Sequence, residues 1–506
     1  VESKCSPIVA RVLEEVYEAM IHSLLIILVN QSMTPPDKVN YLINPGFENG
    51  LQGWVSRGDV FLDSSKTLKG KSSVVIGGGG GSLSQTYKVP GERIIWISAS
   101  FRAAEAKPSG SISVTCQDRS GKSLLKLSAE PNSDQSAGIY FKTHSYTDRI
   151  VIRIEKGAGS PVTVDDVQLN DEEKNTVRHK PEVDLDEAMY PFWEGQRSYK
   201  ESVLLLSREG QPASGSLLFT PSRILSVTDA THHLEFRRGV DFEVSGNRLV
   251  ALSNSKIQTM SDKEFATGEF PWTRFDGKHV FVTYDHDGQW QGPKPASQCE
   301  LLPRTAAKLK ARKQVRIAAF GDSITLGINV SGFLNKPPYL PPWPSLVAHK
   351  IGNVKLFNLG LGGATSQWAK DNAKDLIGSL KPDLVLVAFG MNDFWSLTPK
   401  LYIENIKAAL EAIRSVHPTA EFLLISSMKF DPDYTKEEPY VSNLAGYANE
   451  LRALSGKGVA FFDMTHLSQS LYSAKSSKDL TTDPMHPDDF LARCYAQGVV
   501  ATIQPK

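Results

Sequence analysis

Gly321-Asp322-Ser323 follows directly on the apolar run Val315-Arg316-Ile317-Ala318-Ala319-Phe320. That order places a serine hydroxyl where a buried strand of an α/β sheet ends. At this edge side chains project into a ligand crevice, and a glycine lets the backbone turn sharply. A serine hydroxyl is a poor nucleophile until a base takes its proton and donors await the charge on the attacked carbonyl. Three later stretches carry groups of those kinds: Asn358-Leu359-Gly360-Leu361-Gly362-Gly363-Ala364-Thr365, Gly390-Met391-Asn392-Asp393 and Asp483-Pro484-Met485-His486-Pro487. Acyl transfer from an ester is the chemistry such a set would serve.

These stretches need elements that bring them to one edge. From Val315 onward the pattern alternates strands with helices. The expected strands are Val315–Phe320, Val354–Asn358, Leu384–Phe389, Phe422–Ser426 and Val459–Asp463, with helices near Pro344–Ile351, Gln367–Leu380, Tyr402–Val416, Tyr440–Leu454 and Asp489–Ala501. That alternation predicts right-handed βαβ units and a parallel sheet covered on both faces. Each of the four stretches follows the carboxyl end of an expected strand.

Upstream the pattern is short alternating segments, such as Ser111–Thr115 and Ile150–Ile154, separated by clusters of Gly, Pro, Asn, Asp and Ser that include the glycine run 77–81. Regularly spaced short strands with polar turns predict β-sandwiches. A second β-rich block runs from about Tyr199 to Tyr284, with strands at Val203–Leu206 and Gly215–Phe219 and a hairpin around Gly246-Asn247. The charged stretch 171–186 has no apolar period and reads as a linker. The basic run 308–316 reads as a solvated lead into the first parallel strand. The expected organisation is therefore a helical segment at 1–38, a first sandwich at 39–172, a linker at 173–186, a second sandwich at 187–300 and an α/β domain at 301–506. The helical segment rests on Ser6-Pro7 as a helix start and on apolar residues from Ile8 to Leu25 at helical spacing. Its apolar stretch 24–29 is too short to span a bilayer.

Lys plus Arg equals Asp plus Glu at 56 each, so no overall field draws the chain to nucleic acid or an anionic membrane. Cys5, Cys116, Cys299 and Cys494 lie far apart, with no C-x-x-C spacing. That excludes a disulfide-dense scaffold and gives no zinc signature.

In its four stretches the chain resembles the SGNH (GDSL-type) hydrolases, named for Ser, Gly, Asn and His in four such blocks. The resemblance runs from about Arg316 to the C-terminus, with all four blocks in order. It implies a three-layer α/β/α domain in which Ser323 attacks, His486 is the base and Asp483 orients the imidazole. The backbone N–H groups of Ser323 and Gly363 and the amide of Asn392 then form the oxyanion hole. Losing one such donor costs about 3 kcal/mol of transition-state stabilisation. The bland readings are that Gly-Asp-Ser is a turn, that Asn392 caps the next segment, and that Gly360, Gly362 and Gly363 cradle a phosphate. The last lacks a P-loop lysine and follows the second strand. Asp463-Met464-Thr465-His466 repeats the Asp-x-x-His spacing. His486 is preferred because it precedes the closing helix and carries the His-Pro step of the family. Where many relatives continue with a small residue and glycine, this chain has Asp488-Asp489-Phe490.

Asn44-Pro45-Gly46-Phe47-Glu48-Asn49-Gly50, Gly53-Trp54 and Val164-Asp165-Asp166-Val167 resemble the first and last strands of carbohydrate-binding jelly rolls, over about 39–170. That resemblance implies stacking aromatics, with Trp54 and Tyr87 as candidates. It also implies a structural calcium, for which Glu48 and Asp166 offer oxygen ligands. Trp193, Trp272 and Trp290 of the second block are candidate cleft contacts. The fold class expected is thus two N-terminal jelly-roll-like β-sandwiches followed by the α/β/α hydrolase domain.

The leading expectation is a secreted or periplasmic serine esterase that removes acetyl groups from a polysaccharide or oligosaccharide, with no cofactor for the chemistry. A lipase or thioesterase on longer acyl chains is the rival within the class. A carbohydrate-binding protein with a vestigial hydrolase fold is the rival outside it.

Overall fold

The structure, a computed structural model, describes residues 40–505 apart from 66, 90, 92, 104–109, 122, 132–135, 144–146, 172–178, 262–263, 265–276, 379 and 437. The helix expected at 1–38, Cys5 and Trp272 lie outside the described residues. Two compact units are formed, Val1–Arg178 and His179–Lys506.

In the first unit seven strands join in one antiparallel path, and an eighth, Val55–Asp63, pairs with Ser73–Lys88 off that path. Their buried face carries Val74, Ile76, Leu83, Ile95, Ile97, Phe101 and Ile152. The glycine run 77–81, expected as a turn, lies inside the strand Ser73–Lys88. The reason is close approach by the neighbouring strand Val55–Asp63, which pairs with it across a register shift between Gly58 and Val60. A Cβ on Gly77 would lie 2.1 Å from the Asp59 carboxylate, and one on Gly81 2.7 Å from the Arg57 carbonyl. Asp171, read as the start of the linker, ends the strand Val162–Asp171 and pairs with Arg93 at 2.8 Å.

The second unit begins with a five-stranded and a three-stranded sheet. The run Val203–Leu206 is not one strand. It divides into Arg197–Val203, in the three-stranded sheet, and Leu206–Ser207, in the five-stranded one. The hairpin around Gly246-Asn247 forms as read, with Val244 opposite Leu249 and Ser245 opposite Arg248.

The last sheet is parallel and holds Val354–Asn358, Val315–Gly321, Leu384–Ala388, Glu421–Ile425 and Val459–Phe462 in that spatial order. The first strand in sequence therefore sits inside the sheet, and connections leave it in opposite directions. Right-handed crossovers then put the helix Trp343–Ile351 on one face and Ser366–Gly378, Pro399–Val416 and Tyr440–Ala453 on the other. The closing helix Asp489–Ile503 packs against Trp343–Ile351. Where the connections diverge, between the strands Val315–Gly321 and Leu384–Ala388, such a sheet opens its ligand crevice. Gly321 and Ala388 are in register, so the serine and asparagine stretches leave the sheet at the same level.

Among the described residues two helices of eight residues or more fall outside those the sequence pattern predicts. Pro303–Lys310 takes in the first three residues of what reads as a solvated lead: Pro303 sits at its start, Thr305 and Ala306 are buried, and Lys308 pairs with Asp383 at 2.7 Å. Met464–Ala474 follows the fifth parallel strand.

The β-rich start of this unit is bonded tightly to the closing segments. Lys475 Nζ donates to Glu201 at 2.7 Å and to the Ser202 carbonyl at 2.6 Å, and both side chains of the ion pair are fully buried. Glu201 also accepts from Leu218 N, Ser198 Oγ and Tyr284 Oη. Arg493 donates to the carbonyls of Tyr199 and Lys200, and Gln497 to those of Ala188 and Tyr190. Removing one partner of a buried pair leaves the other charge uncompensated. Glu201→Ala should therefore destabilise this unit by about 3–5 kcal/mol, read as a lowered urea midpoint of the full chain. Arg197→Ala breaks the solvent-exposed pair with Asp285 and should cost less than about 1 kcal/mol. Equal effects would contradict the distinction.

Candidate active site

The strand Val315–Gly321 ends and a one-turn helix, Ser323–Leu326, begins at once. Asp322 caps it, its carboxylate accepting from Ile324 N at 3.0 Å. Burial pushes the Asp322 carboxyl up to about 7, against the pull of that N–H and of His486. Asp322 organises the turn, and Ser323 stands at the head of the helix, 5% exposed.

The second stretch is stitched to that helix. Asn358 Nδ2 donates to the Thr325 carbonyl at 2.9 Å, and Asn358 Oδ1 accepts from Gly360 N. Gly360 has no room for a side chain, because a Cβ there would lie 2.1 Å from Leu326 N. Gly363 differs: its Cβ would meet nothing within 4 Å, but its φ of +73° is a left-handed conformation that glycine adopts without cost.

The third stretch is tied to the second. Asn392 Nδ2 donates to the Ala364 carbonyl at 3.0 Å. Buried Asp393 accepts from Ser366 N at 2.8 Å and from Ser366 Oγ, which anchors the start of the helix Ser366–Gly378. Burial raises its carboxyl to about 6 despite those donors.

The fourth stretch returns on itself as a tight loop. Thr481 bridges Pro487, and Thr482 N donates to the His486 carbonyl at 3.1 Å. At its centre Asp483, with no exposed surface, accepts from Met485 N at 2.8 Å and His486 N at 2.9 Å. The His486 Nδ1 lies 2.8 Å from Asp483 Oδ2, and its Nε2 lies 2.8 Å from Ser323 Oγ. Asp488 and Asp489, where the chain departs from the pattern it resembles, have plain duties. Asp488 caps the closing helix through Leu491 N, and Asp489 accepts from Ser331 N and Oγ at 2.8 and 2.6 Å.

Burial acts to lower the His486 pKa, but the Asp483 charge and hydrogen bond, with Asp322 adding to them, outweigh it and raise it. A hydroxyl hydrogen-bonded to an imidazole that is itself held by a carboxylate can shed its proton as it attacks a carbonyl carbon.

The competing Asp463–His466 pair does something else. Asp463 caps the helix Met464–Ala474, accepting from His466 N at 2.9 Å, and pairs with Arg452. His466 itself is exposed.

Other candidates fall elsewhere. Trp54 is a core residue packed on Phe47, with centroids 5.4 Å apart, and its indole N–H donates to the Asn44 carbonyl. Its ring is therefore not free to stack on a sugar. Tyr87 is half-buried against the same core beside Tyr41. Trp193 is buried, edge-on to Phe192, which also meets Trp290 and Phe490. Glu48 accepts from Lys71 N and Ser72 N, while Asp166 pairs with the Lys69 ammonium. Those oxygens serve N–H donors and an ammonium. Among the described residues no three His, Cys, Asp or Glu side chains gather as a metal-binding group.

Reading motifs alone misses two features. An aromatic group, Phe394, Trp395, Phe430, Tyr434 and Tyr440, is built on the segments after Asn392 and before Tyr440–Ala453. Trp395 meets Tyr434 and Tyr440 edge-on at 5.5 and 5.0 Å, and Phe394 stacks on Phe430 at 4.8 Å. This group borders the fourth loop: Asp431 N donates to the Pro484 carbonyl, and the Asp483 charge adds to burial in raising the Tyr434 phenol pKa. Its spacing from Asn392, three residues to Trp395, is the one signal in the sequence. The second is Asn329, whose Nδ2 donates to Asp483 Oδ2 at 2.7 Å.

The model of the GDSL-like lipase/acylhydrolase family matches residues 319–490. Similar solved structures include a lipolytic protein of the G-D-S-L family from Veillonella parvula, 18% identical, covering 36% of this chain and 95% of that one, with a TM-score of 0.31. A catalytic mutant of Axe2, an acetylxylan esterase from Geobacillus stearothermophilus, is 15% identical over 38% of this chain and 95% of that one, with a TM-score of 0.32. A carbohydrate acetylesterase family member from Sinorhizobium meliloti is 19% identical over 37% and 95%, with a TM-score of 0.29. No curated protein matches the chain. Ser323, Gly363, Asn392 and His486 all lie within the residues that match the GDSL-like lipase/acylhydrolase family model.

Proposed function

We propose that this protein is a serine esterase that removes acetyl or similarly short acyl groups from a polysaccharide or oligosaccharide. The observation that carries the reading is the unbroken chain of contacts from Ser323 Oγ through His486 to Asp483, each 2.8 Å. Ser323 Oγ attacks the acyl carbon while His486 Nε2 takes its proton. The tetrahedral oxyanion is met by the N–H groups of Ser323 and Gly363 and by Asn392. The second N–H of the Asn392 amide serves this purpose, since the first is engaged with the Ala364 carbonyl. Collapse breaks the bond to the sugar oxygen, which leaves as an alcohol with the proton from His486. Water, deprotonated by His486, then attacks the acyl-enzyme, releasing the carboxylate and restoring Ser323.

The half-buried rings of Trp395, Tyr434 and Tyr440 favour a glycan over a long alkyl chain. An aromatic face with a polar edge suits the C–H face of a pyranose and its hydroxyls together.

The full chain should release acetate from acetylated glycans and hydrolyse nitrophenyl acetate faster than nitrophenyl octanoate. Ser323→Ala should lower turnover about 10⁴-fold or more. Retained hydrolysis would overturn the assignment, and a preference for octanoate would make it a long-chain acylhydrolase. Trp395→Ala should raise KM for the glycan while leaving nitrophenyl acetate nearly unchanged.

The base works only when neutral, so kcat/KM should fall as pH drops through a His486 pKa raised above the ordinary 6.5. Asp483→Asn removes the charge that opposes burial. It should move that acid limb to lower pH and cost about 10⁴-fold in kcat. A limb that stays in place would exclude His486 as the titrating base.

A further inference from the structure

The Asp483 carboxylate takes donors from two separate segments. Met485 N, His486 N and His486 Nδ1 belong to its own loop; Asn329 Nδ2 comes from the serine's segment, six residues beyond Ser323. Between Ser323 and Asn329 the backbone is closed on itself, because Gly327 N and Ile328 N both donate to the Ser323 carbonyl at 3.0 Å. The contacts thus form a ring: Ser323 Oγ to His486, His486 to Asp483, Asp483 to Asn329, and Asn329 back through its turn to Ser323.

Asn329 has a φ of +71°, a left-handed conformation that asparagine tolerates better than most side chains. That backbone holds the residue at the turn between Gly327 and Ser331. Two residues on, Ser331 binds Asp489 by both its N–H and its hydroxyl, so the two segments are strapped together at two carboxylates.

We infer that Asn329 is a positioning residue of the hydrolase site, fixing Asp483 Oδ2 so that the carboxylate presents its edge to His486 Nδ1 and the imidazole stays aimed at Ser323. A carboxylate satisfied only within its own loop could rotate with that loop. The Asn329 amide ties its orientation to the segment that carries the nucleophile. The inference rests on reading Ser323, His486 and Asp483 as the reacting chain.

The test uses the full chain and nitrophenyl acetate. Asn329→Gly keeps the left-handed backbone accessible and deletes only the amide. It should lower kcat about 10²-fold, as a misaligned reacting group does, with KM changed less than about twofold and with a cooperative urea transition showing that the variant is folded under assay conditions. The same substitution in an Asp483→Asn background should cost less than about threefold more, because its effect passes through that carboxylate. Asn329→Asp keeps the side-chain shape but puts a second carboxylate against Asp483. Two such groups share a proton until pH removes it, so its kcat should fall further as pH rises. Full activity in Asn329→Gly, or losses that simply multiply in the double variant, would overturn the role of Asn329. If Ser323→Ala itself retains activity, the underlying reading fails instead.

Discussion

A carboxylate with no exposed surface, Asp483, sets the constraint on which the geometry of the candidate site depends. Taking an ion of that kind out of water costs several kcal/mol after relaxation, and the cost is offset only where donors reach its oxygens. Asp483 meets that condition with two backbone N–H groups of its own loop, the His486 imidazole and the Asn329 amide. The loop geometry and the carboxylate's hydrogen bonds are therefore one requirement, and the imidazole is oriented as a consequence. The Asp483 charge then does a second thing: it outweighs burial in setting the protonation of His486.

The same logic extends outward. Asp322, Asp393 and Asp489 are buried carboxyls that gather N–H or hydroxyl donors: Asp322 from Ile324 N of its own turn and from the Met391 backbone, Asp393 from Ser366, and Asp489 from Ser331. Each is held above the ordinary carboxylate range by burial. Together they tie the loops after the first three parallel strands to the segment that follows the loop of Asp483. The β-rich block at the start of the second unit takes part as well. Glu201 holds Lys475, Asp479 accepts from Leu204 N, and the His279 ring contacts the Lys478 carbonyl. Those three residues lie on the few positions that lead into the loop of Asp483, so this block braces the approach to the site through polar contacts with its backbone and side chains.

Much of this was legible in the order of residue types. Five apolar runs at βαβ spacing gave the parallel strands to within a residue or two, because a strand buried on both faces must be apolar at nearly every position. The helix Pro303–Lys310 escaped notice since its charged residues mask two buried positions, Thr305 and Ala306. The glycine run 77–81 misled because glycine marks turns and close strand approach alike. Asp463-x-x-His466 and Asp483-x-x-His486 share one spacing. What separates them is that the first Asp starts a helix, while the second sits in a closed loop facing Ser323.

The sequence by itself determined the α/β class of the C-terminal part and the residue types available for acyl transfer. Both follow from local order: hydrophobic period sets the elements, and strand ends set which side chains can meet. Tertiary structure alone decided that His466 points to solvent, that Trp54 and Trp193 are core rather than platforms, and that Asn329 donates to Asp483. Those outcomes depend on contacts between positions that lie as far apart as 154 residues along the chain, and no local pattern encodes the direction in which a distant loop will face.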